Sequence, residues 1–323
     1  MTTALNIVSS SDEGYVGNYC ALLHSAWLYH PDARFFLLDC GIAPQSLSRL
    51  LAFAAERSID LSIVDAKDRL ASELPHYNKR SAFGRVLIPE LLPAGIERAI
   101  YLDADMTVVG DLTALHEADL GDAVAGVCLD GLPSGLKREE EVQKFDYAGA
   151  YFNSGMLLLD FAKWLREGIA RQTIAFANEN PERLLAMDQS ALNLILHGRV
   201  KILPNIWNFF NVENGAVNFA DVRIVHHTNG RRPWVGYSPF SDIYHFHRSR
   251  TPFAIPPTTR TFSDKAAIVR RIALSWVWPK YRRHARRDRL KALAESAITQ
   301  PAVKNASAKM ARVSTGIRDA VTT

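Results

Sequence analysis

Short apolar runs alternate with helical patterns over the first hundred residues, and this alternation constrains the fold more than any other feature. The apolar runs cover residues 5–8, 34–38, 61–64 and 99–102, with helical patterns over 19–29 and from Pro44. Strands that are nearly continuously apolar and alternate with helices predict a parallel sheet covered on both faces, in the α/β class. Ligands of such sheets bind beyond the carboxyl ends of the strands.

The same periodicities extend further along the chain. Residues 124–129 and 156–159 are predicted strands, whereas 81–92, 162–177 and 183–196 are predicted helices. Residues 199–250 contain many glycines and prolines and are predicted to be rich in loops.

Composition and length favour a cytoplasmic enzyme. The chain has 323 residues and is 48% hydrophobic, which is enough for one sizeable core. Residues 1–8 lack the basic start of a signal peptide, and no run of eighteen uncharged apolar residues occurs. The three cysteines are odd in number and far apart, which is typical of a reducing compartment and argues against a disulfide scaffold.

Asp103 and Asp105 directly follow the apolar run 100–102. Alternate residues of an extended segment point the same way, so these carboxylates could share a hard cation. A solvated acidic turn is the simplest interpretation. A phosphatase of the haloacid-dehalogenase type would use Asp103 as nucleophile, but its motif normally ends the first strand of the domain. In a nucleotide-sugar transferase, the two aspartates would hold Mn²⁺ or Mg²⁺ against a diphosphate.

Further motifs favour the transferase. After Asp103 and Asp105, the chain presents Gly110-Asp111, Asn153-Ser154-Gly155, Asp188-Gln189, His226 and Pro233-Trp234 in that order. Over about residues 5–250, this order and spacing resembles glycosyltransferase family 8, a retaining group that includes bacterial lipopolysaccharide galactosyl- and glucosyltransferases. The resemblance implies a GT-A fold, with a Rossmann-like and mostly parallel sheet between helices. It also implies a UDP-hexose donor (galactose or glucose), a glycan or glycolipid acceptor, and a role in lipopolysaccharide or surface polysaccharide synthesis.

The resemblance assigns the metal ligands and the catalytic pair. Asp103, Asp105 and His226 would bind Mn²⁺ (or Mg²⁺), a donor set that suits these ions. His226 is preferred to His227 because it lies six residues before Arg232, as the family's histidine precedes a lysine. Gln189 and Asp188 would be the catalytic residues. Since a glutamine is a poor nucleophile, attack on the same face of the sugar is favoured over double displacement, with Asp188 as the fallback nucleophile or electrostatic stabiliser.

The resemblance also assigns the residues that bind the donor substrate. Asp12 and Tyr15 would hold the uracil, Arg85 and Arg232 would contact phosphates or sugar, and Asp130 and Asn153 would surround the donor sugar together with Asp188 and Gln189.

Three positions depart from the family pattern. Arg232 replaces a lysine, Gly14 replaces an asparagine, and Asn229-Gly230 could shift its loop by one position. These departures leave open a catalytically silent protein that binds nucleotide sugars.

Pro252, Pro256 and Pro257 predict the end of a catalytic domain spanning 1–250. A basic amphipathic helical segment follows over 251–295, and the tail 296–323 is expected to be poorly ordered. Residues 265–291 carry ten basic residues against Asp288 alone. Since Trp276 continues an apolar helical stripe, this segment could lie on an anionic membrane surface at the inner face of the cytoplasmic membrane, or pack on the catalytic domain. Nucleic acid is not an expected partner because no nucleic-acid-binding module accompanies the charge.

Overall fold

The fold has a central sheet of seven strands. The structure is a computed structural model that describes residues 4–77, 80–130, 151–181, 184, 186–210, 217–228 and 232–321. The strands are β1 (Asn6–Ser11), β2 (Arg34–Asp39), β3 (Leu61–Asp65), β4 (Arg98–Leu102), β5 (Met106–Val108), β6 (Ala125–Leu129), β7 (Phe152–Asp160), β8 (Val200–Leu203) and β9 (Ile224–His226). The sheet has the order β3-β2-β1-β4-β7-β6-β8, and β5 pairs with β9 in a separate ribbon.

Helices cover both faces of the sheet. They are α1 (Val16–Tyr29), α2 (Pro44–Glu56), α3 (Lys67–Glu73), α4 (Gly84–Leu91), α5 (Thr113–His116), α6 (Phe161–Arg166), α7 (Ile169–Glu179), α8 (Met187–Ile195), α9 (Ser241–Arg248), α10 (Phe262–Leu274) and α11 (Pro279–Val321). Alternate strand residues enter two separate cores: Ile7 packs on the side of α1 and α2, and Val8 on the side of α3, α4 and α6–α8. The predicted α/β architecture is confirmed.

Only β7 runs against its neighbours in the seven-stranded sheet. It is antiparallel to both β4 and β6, whereas every other described pair in that sheet is parallel. Its pairing with β6 shifts register between Val127 and Cys128, so that Ser154–Met156 have no partner on β6. Such an irregularity re-aims the residues of a strand, and here it lies beside the carboxyl end of β4.

One predicted helix and one predicted loop region differ from the structure. The helix predicted over 162–177 is divided into α6 and α7 at Gly168, whose φ of 62° a glycine adopts without strain. The region predicted to be rich in loops contains α9, whose buried face packs against α1 and α11.

The C-terminal helix α11 packs on the rest of the fold. Ala294, Ile298 and Ala302 of α11 join a core cluster with Phe209 and Phe240, and Ala306 joins the core beneath α1. The tail expected to be poorly ordered is part of α11, and no helix boundary occurs at residue 295. Among the helices described, none is both long enough and apolar enough to cross a membrane.

Candidate active site

A cavity of about 350 Å³ lies where β1 and β4 end. These strands are parallel neighbours, so the residues that follow them come together at one edge of the sheet. Among the residues lining the cavity are seven of those predicted from the sequence: Asp12, Tyr15, Arg85, Asp103, Asp105, His226 and Arg232. Asp130, Asn153, Asp188 and Gln189 do not belong to this lining in the described part of the chain, and they join the site through hydrogen bonds.

Asp103, Asp105 and His226 form the candidate metal centre. One ligand atom of each lies within 4.8 Å of the other two. His226 Nε2 is 3.2 Å from Asp105 Oδ1 and 3.8 Å from Asp103 Oδ2.

A chain of hydrogen bonds fixes the tautomer of His226. The backbone N–H of Gly155 donates to Asn153 Oδ1 (3.0 Å), which also accepts from Asn208 Nδ2 (2.8 Å). The remaining oxygen of the Asn208 amide therefore accepts from His226 Nδ1 at 2.9 Å. With its proton on Nδ1, the imidazole presents the Nε2 lone pair to two carboxylates. Lone pairs that converge in this way fit a divalent cation, for which two carboxylates and a neutral imidazole are suitable ligands.

Gly155 makes room for this arrangement. A Cβ atom at this position would lie 2.4 Å from His226 Cε1, 2.8 Å from Asp103 Oδ2 and 2.9 Å from Asn153 Oδ1. Each distance is shorter than real Cβ contacts, so only glycine allows the ligands to approach β7 this closely.

The neighbouring His227 points away from the two aspartates. Its Nε2 is 2.9 Å from Thr107 Oγ1, and its ring packs edge-on against Tyr244. Burial lowers the pKa of His227 to about 3, so its ring is neutral. In a strand, successive side chains point to opposite faces; His226 ends β9, and its side chain alone is directed to the candidate centre.

Arg85 is the buried cation of the site. Its Nη2 lies 2.8 Å from Asp103 Oδ1 and its Nε lies 3.1 Å from Asp188 Oδ2. It also donates to the carbonyl (2.6 Å) and hydroxyl (2.9 Å) of Ser154. Burial would lower its pKa, but the two carboxylates raise it above the usual value, so the charge of Arg85 is permanent. Arg85 thus holds the Asp103 carboxylate, which His226 also approaches.

Asp188 lies in the first turn of α8 and is not its N-cap, which is Ala186. Its Oδ2 accepts from Ser154 Oγ at 3.2 Å and contacts Arg85. Burial raises its pKa to about 6, against the opposing effect of Arg85. Met187, which lines the cavity, has a positive φ of 44° that directs the chain into this turn.

Gln189 uses both ends of its amide within the protein. Its Oε1 accepts from the backbone N–H of Ser154 at 3.1 Å, and its Nε2 donates to Asp130 Oδ2 at 2.9 Å. Gln189 therefore links the irregular part of β7 to the end of β6. Ser154 and Asn208 connect the predicted residues, although no role was predicted for either of them from the sequence.

The same cavity is also lined by Asp12, Tyr15 and Arg232. Asp12 accepts from Ser81 Oγ (2.7 Å) and from the N–H of Gly14 (3.0 Å). Arg232 Nη1 donates to Tyr15 Oη at 2.6 Å, and the Tyr15 ring contacts Trp234 edge-on. The arginine that replaces the family's lysine thus reaches the cavity. Asn229-Gly230 lie outside the described residues.

A family model decides the classification. The model described as glycosyl transferase family 8 matches residues 6–237. The chain belongs to glycosyltransferase family 8. It is 28% identical to general stress protein A of Bacillus subtilis over 76% of this chain and 94% of that protein. It is 26% identical to the glycosyltransferase GlyE of Streptococcus pneumoniae, and 25% identical to a lipopolysaccharide 1,2-glucosyltransferase of Escherichia coli K12. The chain spans 57% and 53% of the lengths of these two proteins.

Solved structures confirm the fold of this family 8 member. The galactosyltransferase LgtC, solved in complex with donor and acceptor sugar analogues, superposes with a TM-score of 0.66 at 23% identity, over 78% of this chain and 98% of that one. The apo form of GlyE gives a TM-score of 0.57 at 23% identity, over 76% of this chain and 60% of that one. The protein is therefore a glycosyltransferase of the GT-A fold, similar to bacterial lipopolysaccharide transferases.

Proposed function

We propose that this glycosyltransferase moves a hexose, galactose or glucose, from a UDP-sugar to a glycan hydroxyl with retention of anomeric configuration, in the synthesis of lipopolysaccharide or another surface polysaccharide. The observation that carries the proposal is the position of Asp103, Asp105 and His226. These three ligands line a cavity that Arg85 and Arg232 also line. A diphosphate bound to a cation at these ligands would lie in a cavity that offers two further positive charges.

Mn²⁺, or Mg²⁺, is the proposed cofactor. Bound to the two aspartates and His226, it would act as a Lewis acid that stabilises negative charge on the departing UDP. Asp12 and Tyr15 would hold the uracil, and Arg232 would orient the phosphates from the side of Tyr15. Asp130 and Asn153 would limit the sugar pocket next to Gln189.

The contacts of Gln189 and Asp188 favour attack on the same face of the sugar. The amide of Gln189 is hydrogen-bonded at both ends, and the Asp188 carboxylate is buried against Arg85. Neither is free to form a bond to the anomeric carbon. In the proposed step, the bond between that carbon and the phosphate oxygen breaks while the acceptor oxygen attacks, and the acceptor proton passes to the departing phosphate. Asp188 would then act through Arg85, as a positioning residue.

An anionic membrane surface is the proposed partner of α10 and the turn after it. Phe262, Val269, Trp276 and Val277 are all exposed there. The exposed Arg282, Arg286 and Arg289 of α11 border this apolar surface, and none makes an ion pair with another described residue. Exposed aromatic residues beside unpaired arginines are typical of interfacial segments. Such binding would bring the enzyme to a glycolipid acceptor.

Turnover of UDP-glucose and UDP-galactose with and without Mn²⁺ tests the function. We expect slow hydrolysis without acceptor, loss of activity in a chelator, and loss in Asp105→Asn, whose folding should persist because Asp105 is not in a core cluster. Asp32→Asn, on the exposed turn before β2, is the matched control and should behave as wild type. Normal transfer by Asp105→Asn would contradict the site, absence of turnover in the wild type would favour the silent binding protein, and phosphate release from phosphomonoesters would favour the phosphatase.

A further inference from the structure

A second cavity, which we call the polar cleft, lies between α11 and the start of α9. Its volume is about 410 Å³. The lining residues contributed by α11 are spaced by three or four positions and therefore lie on one face of the helix. Residues 258–260, which precede α10, also line the cleft. The lining residues are Tyr237, Asp242, Thr258, Thr259, Arg260, Ala292, Glu295, Ser296, Thr299 and Gln300. All but Ala292 have polar side chains, and none of them lines the cavity of the candidate active site.

The chemistry of the polar cleft excludes an apolar or strongly anionic ligand. A lipid chain would require an apolar lining, and a phosphate would require positive charge without compensation. Arg260, the only cation among the described residues of the lining, is paired with Glu295 at 2.9 Å. The lining instead matches a saccharide. The hydroxyls of a sugar donate and accept hydrogen bonds, as the hydroxyl, amide and carboxylate groups of the cleft do, and the C–H face of a sugar packs on an aromatic ring.

The centre of the cleft is pre-organised. The Glu295 carboxylate accepts from Tyr237 Oη at one oxygen and from Arg260 Nη2 at the other. The Arg260 guanidinium also lies over the Tyr237 ring, 4.6 Å from its centroid. These contacts fix one aromatic ring and one carboxylate before any ligand arrives, which lowers the entropy cost of binding.

Two polar groups of the cleft lack a partner among the described residues. Thr299 is only 4% exposed, and its Oγ1 makes no hydrogen bond to any described residue. Arg260 Nε is likewise buried without a partner among the described residues. A buried polar group without a partner costs free energy, so a ligand that paired with these two groups in the lining would gain affinity from them.

The polar cleft adjoins the segment that carries Arg232. Thr258 lines the cleft, donates its hydroxyl to the carbonyl of Pro233 at 3.0 Å, and donates its N–H to His245 Nε2 at 3.0 Å. Tyr237, five residues after Arg232, lines the cleft as well. One short segment therefore contributes to the candidate active site at Arg232 and to the polar cleft at Tyr237.

We propose that the polar cleft binds a neutral saccharide unit of the glycan acceptor, at a distance from the hydroxyl that receives the sugar. The assignment of this saccharide to an acceptor rests on the proposed function. Saccharide binding itself does not, and it is measured without any transfer reaction.

Ligand-observed NMR with lactose and maltose tests the binding. Ala292→Trp places a large ring in the cleft from an exposed helical position, and Leu293→Trp is the matched control, since Leu293 is 61% exposed and lies outside the lining. We expect saturation transfer to at least one disaccharide in wild type, Leu293→Trp and Asp105→Asn, and at least about a tenfold loss of affinity in Ala292→Trp. No transfer to either sugar, equal binding by Ala292→Trp, or displacement of the sugar by inorganic phosphate would overturn the proposal.

Thr299→Val provides a second variant that retains the shape of the side chain. Because Oγ1 has no protein partner, the variant should unfold at the same or a higher urea concentration than wild type, while disaccharide affinity should fall by about fivefold. In the transfer reaction, the KM for an oligosaccharide acceptor should rise in both cleft variants, with unchanged hydrolysis of the UDP-sugar. Disaccharide binding without any sugar transfer would contradict the proposed function but leave the saccharide site intact. Unchanged disaccharide affinity in Thr299→Val would contradict saccharide binding in the polar cleft.

Discussion

At the scale of single residues, the imidazole of His226 depends on a partner that the sequence does not reveal. Asn208 lies 18 positions before it, and the two meet because β9 lies beside the segment that follows β8. Asn208 holds the proton on Nδ1, and therefore keeps Nε2 available for a cation.

Asn208→Leu should weaken binding of Mn²⁺ by about 10- to 100-fold, the usual effect of losing a residue that orients a metal-bound histidine. The reason is that His226 Nδ1 would lose its acceptor, and the tautomer with the proton on Nε2 would become populated. Calorimetric titration with Mn²⁺ measures the change, and Asn205→Leu on the same turn is the control. Equal affinities in wild type and Asn208→Leu would show that the hydrogen bond is unimportant for the metal.

Gly155→Ala should lose most of its Mn²⁺ affinity and activity while it retains the fold. The added Cβ would lie 2.4 Å from His226 Cε1, so the imidazole has to move out of line with Asp103 and Asp105. We expect a loss of stability of about 1–3 kcal/mol, as for other overpacked sites. Urea unfolding and metal titration separate the two effects. A variant that binds Mn²⁺ as the wild type does would contradict the contacts around Gly155.

The sequence could predict those site residues whose chemical type is itself informative. Asp103 and Asp105 follow an apolar run, and the resemblance to glycosyltransferase family 8 assigned His226, which lies six residues before Arg232. Asn208 and Ser154 act through partners that are distant along the chain, and no local pattern distinguishes them from ordinary loop or strand residues. The carboxylate of Asp188 was predicted near the sugar, but its contact with Arg85 required the three-dimensional structure.

At the scale of elements, α1 and α9 meet through two buried histidines. His24 Nδ1 and His247 Nδ1 are 2.9 Å apart, and the Nε2 atom of each lacks a partner among the described residues. Burial, followed by the charges of Arg57 and Arg250, lowers the pKa of His24 to about 3. Burial and His24 lower the pKa of His247 well below its usual value. Both rings are therefore neutral in the folded protein.

This pair should make the protein sensitive to acid. In the unfolded chain each histidine has a pKa of about 6.5, so below that pH the unfolded state binds more protons. The contribution to stability is complete above about pH 6.5 and is lost as the pH falls toward about 3, by up to about 1.4 kcal/mol per pH unit for each histidine. In His24→Gln, the number of protons taken up on unfolding should fall by about one, which lowers the slope of the free energy of unfolding against pH. Urea unfolding at several pH values measures the slope.

His76→Gln is the control for that slope, because His76 is exposed. A slope in His24→Gln equal to that of the wild type would show that the buried pair does not govern acid sensitivity.

Elements were predictable from sequence where an apolar run marked them. The apolar runs 5–8, 34–38, 61–64 and 99–102 predicted β1–β4, and the observed bounds agree with the predicted ones to within about three residues. The direction of β7 was not predictable, because an apolar run does not reveal the direction of its pairing. The division at Gly168 depends on its positive φ, and α11 depends on contacts with α1 and α9 that compensate for a tail of low hydrophobicity.

At the scale of the whole molecule, one side of α11 packs in the core and the other side is exposed beside α10. Its buried alanines and Ile298 complete cores of the catalytic domain, whereas its arginines border the exposed apolar surface of α10. Removing α11 would expose these cores, so a truncated protein would test folding rather than membrane binding. The membrane proposal has to be tested by substitutions on the exposed side alone.

We expect the full chain to co-sediment with vesicles containing phosphatidylglycerol and to ignore vesicles of phosphatidylcholine alone. Each arginine near an anionic surface contributes about 1 kcal/mol, so replacing Arg282, Arg286 and Arg289 by glutamine should release most of the protein at low salt. Trp276→Gln, at a side chain that is 78% exposed, should weaken the part of binding that persists at high salt, where charge interactions are screened. Leu165→Gln, an exposed apolar position on α6, is the matched control and should bind as the wild type does. If the wild-type protein remains in the supernatant with anionic vesicles at low salt, the proposal that α10 and the arginines of α11 bind an anionic membrane is wrong.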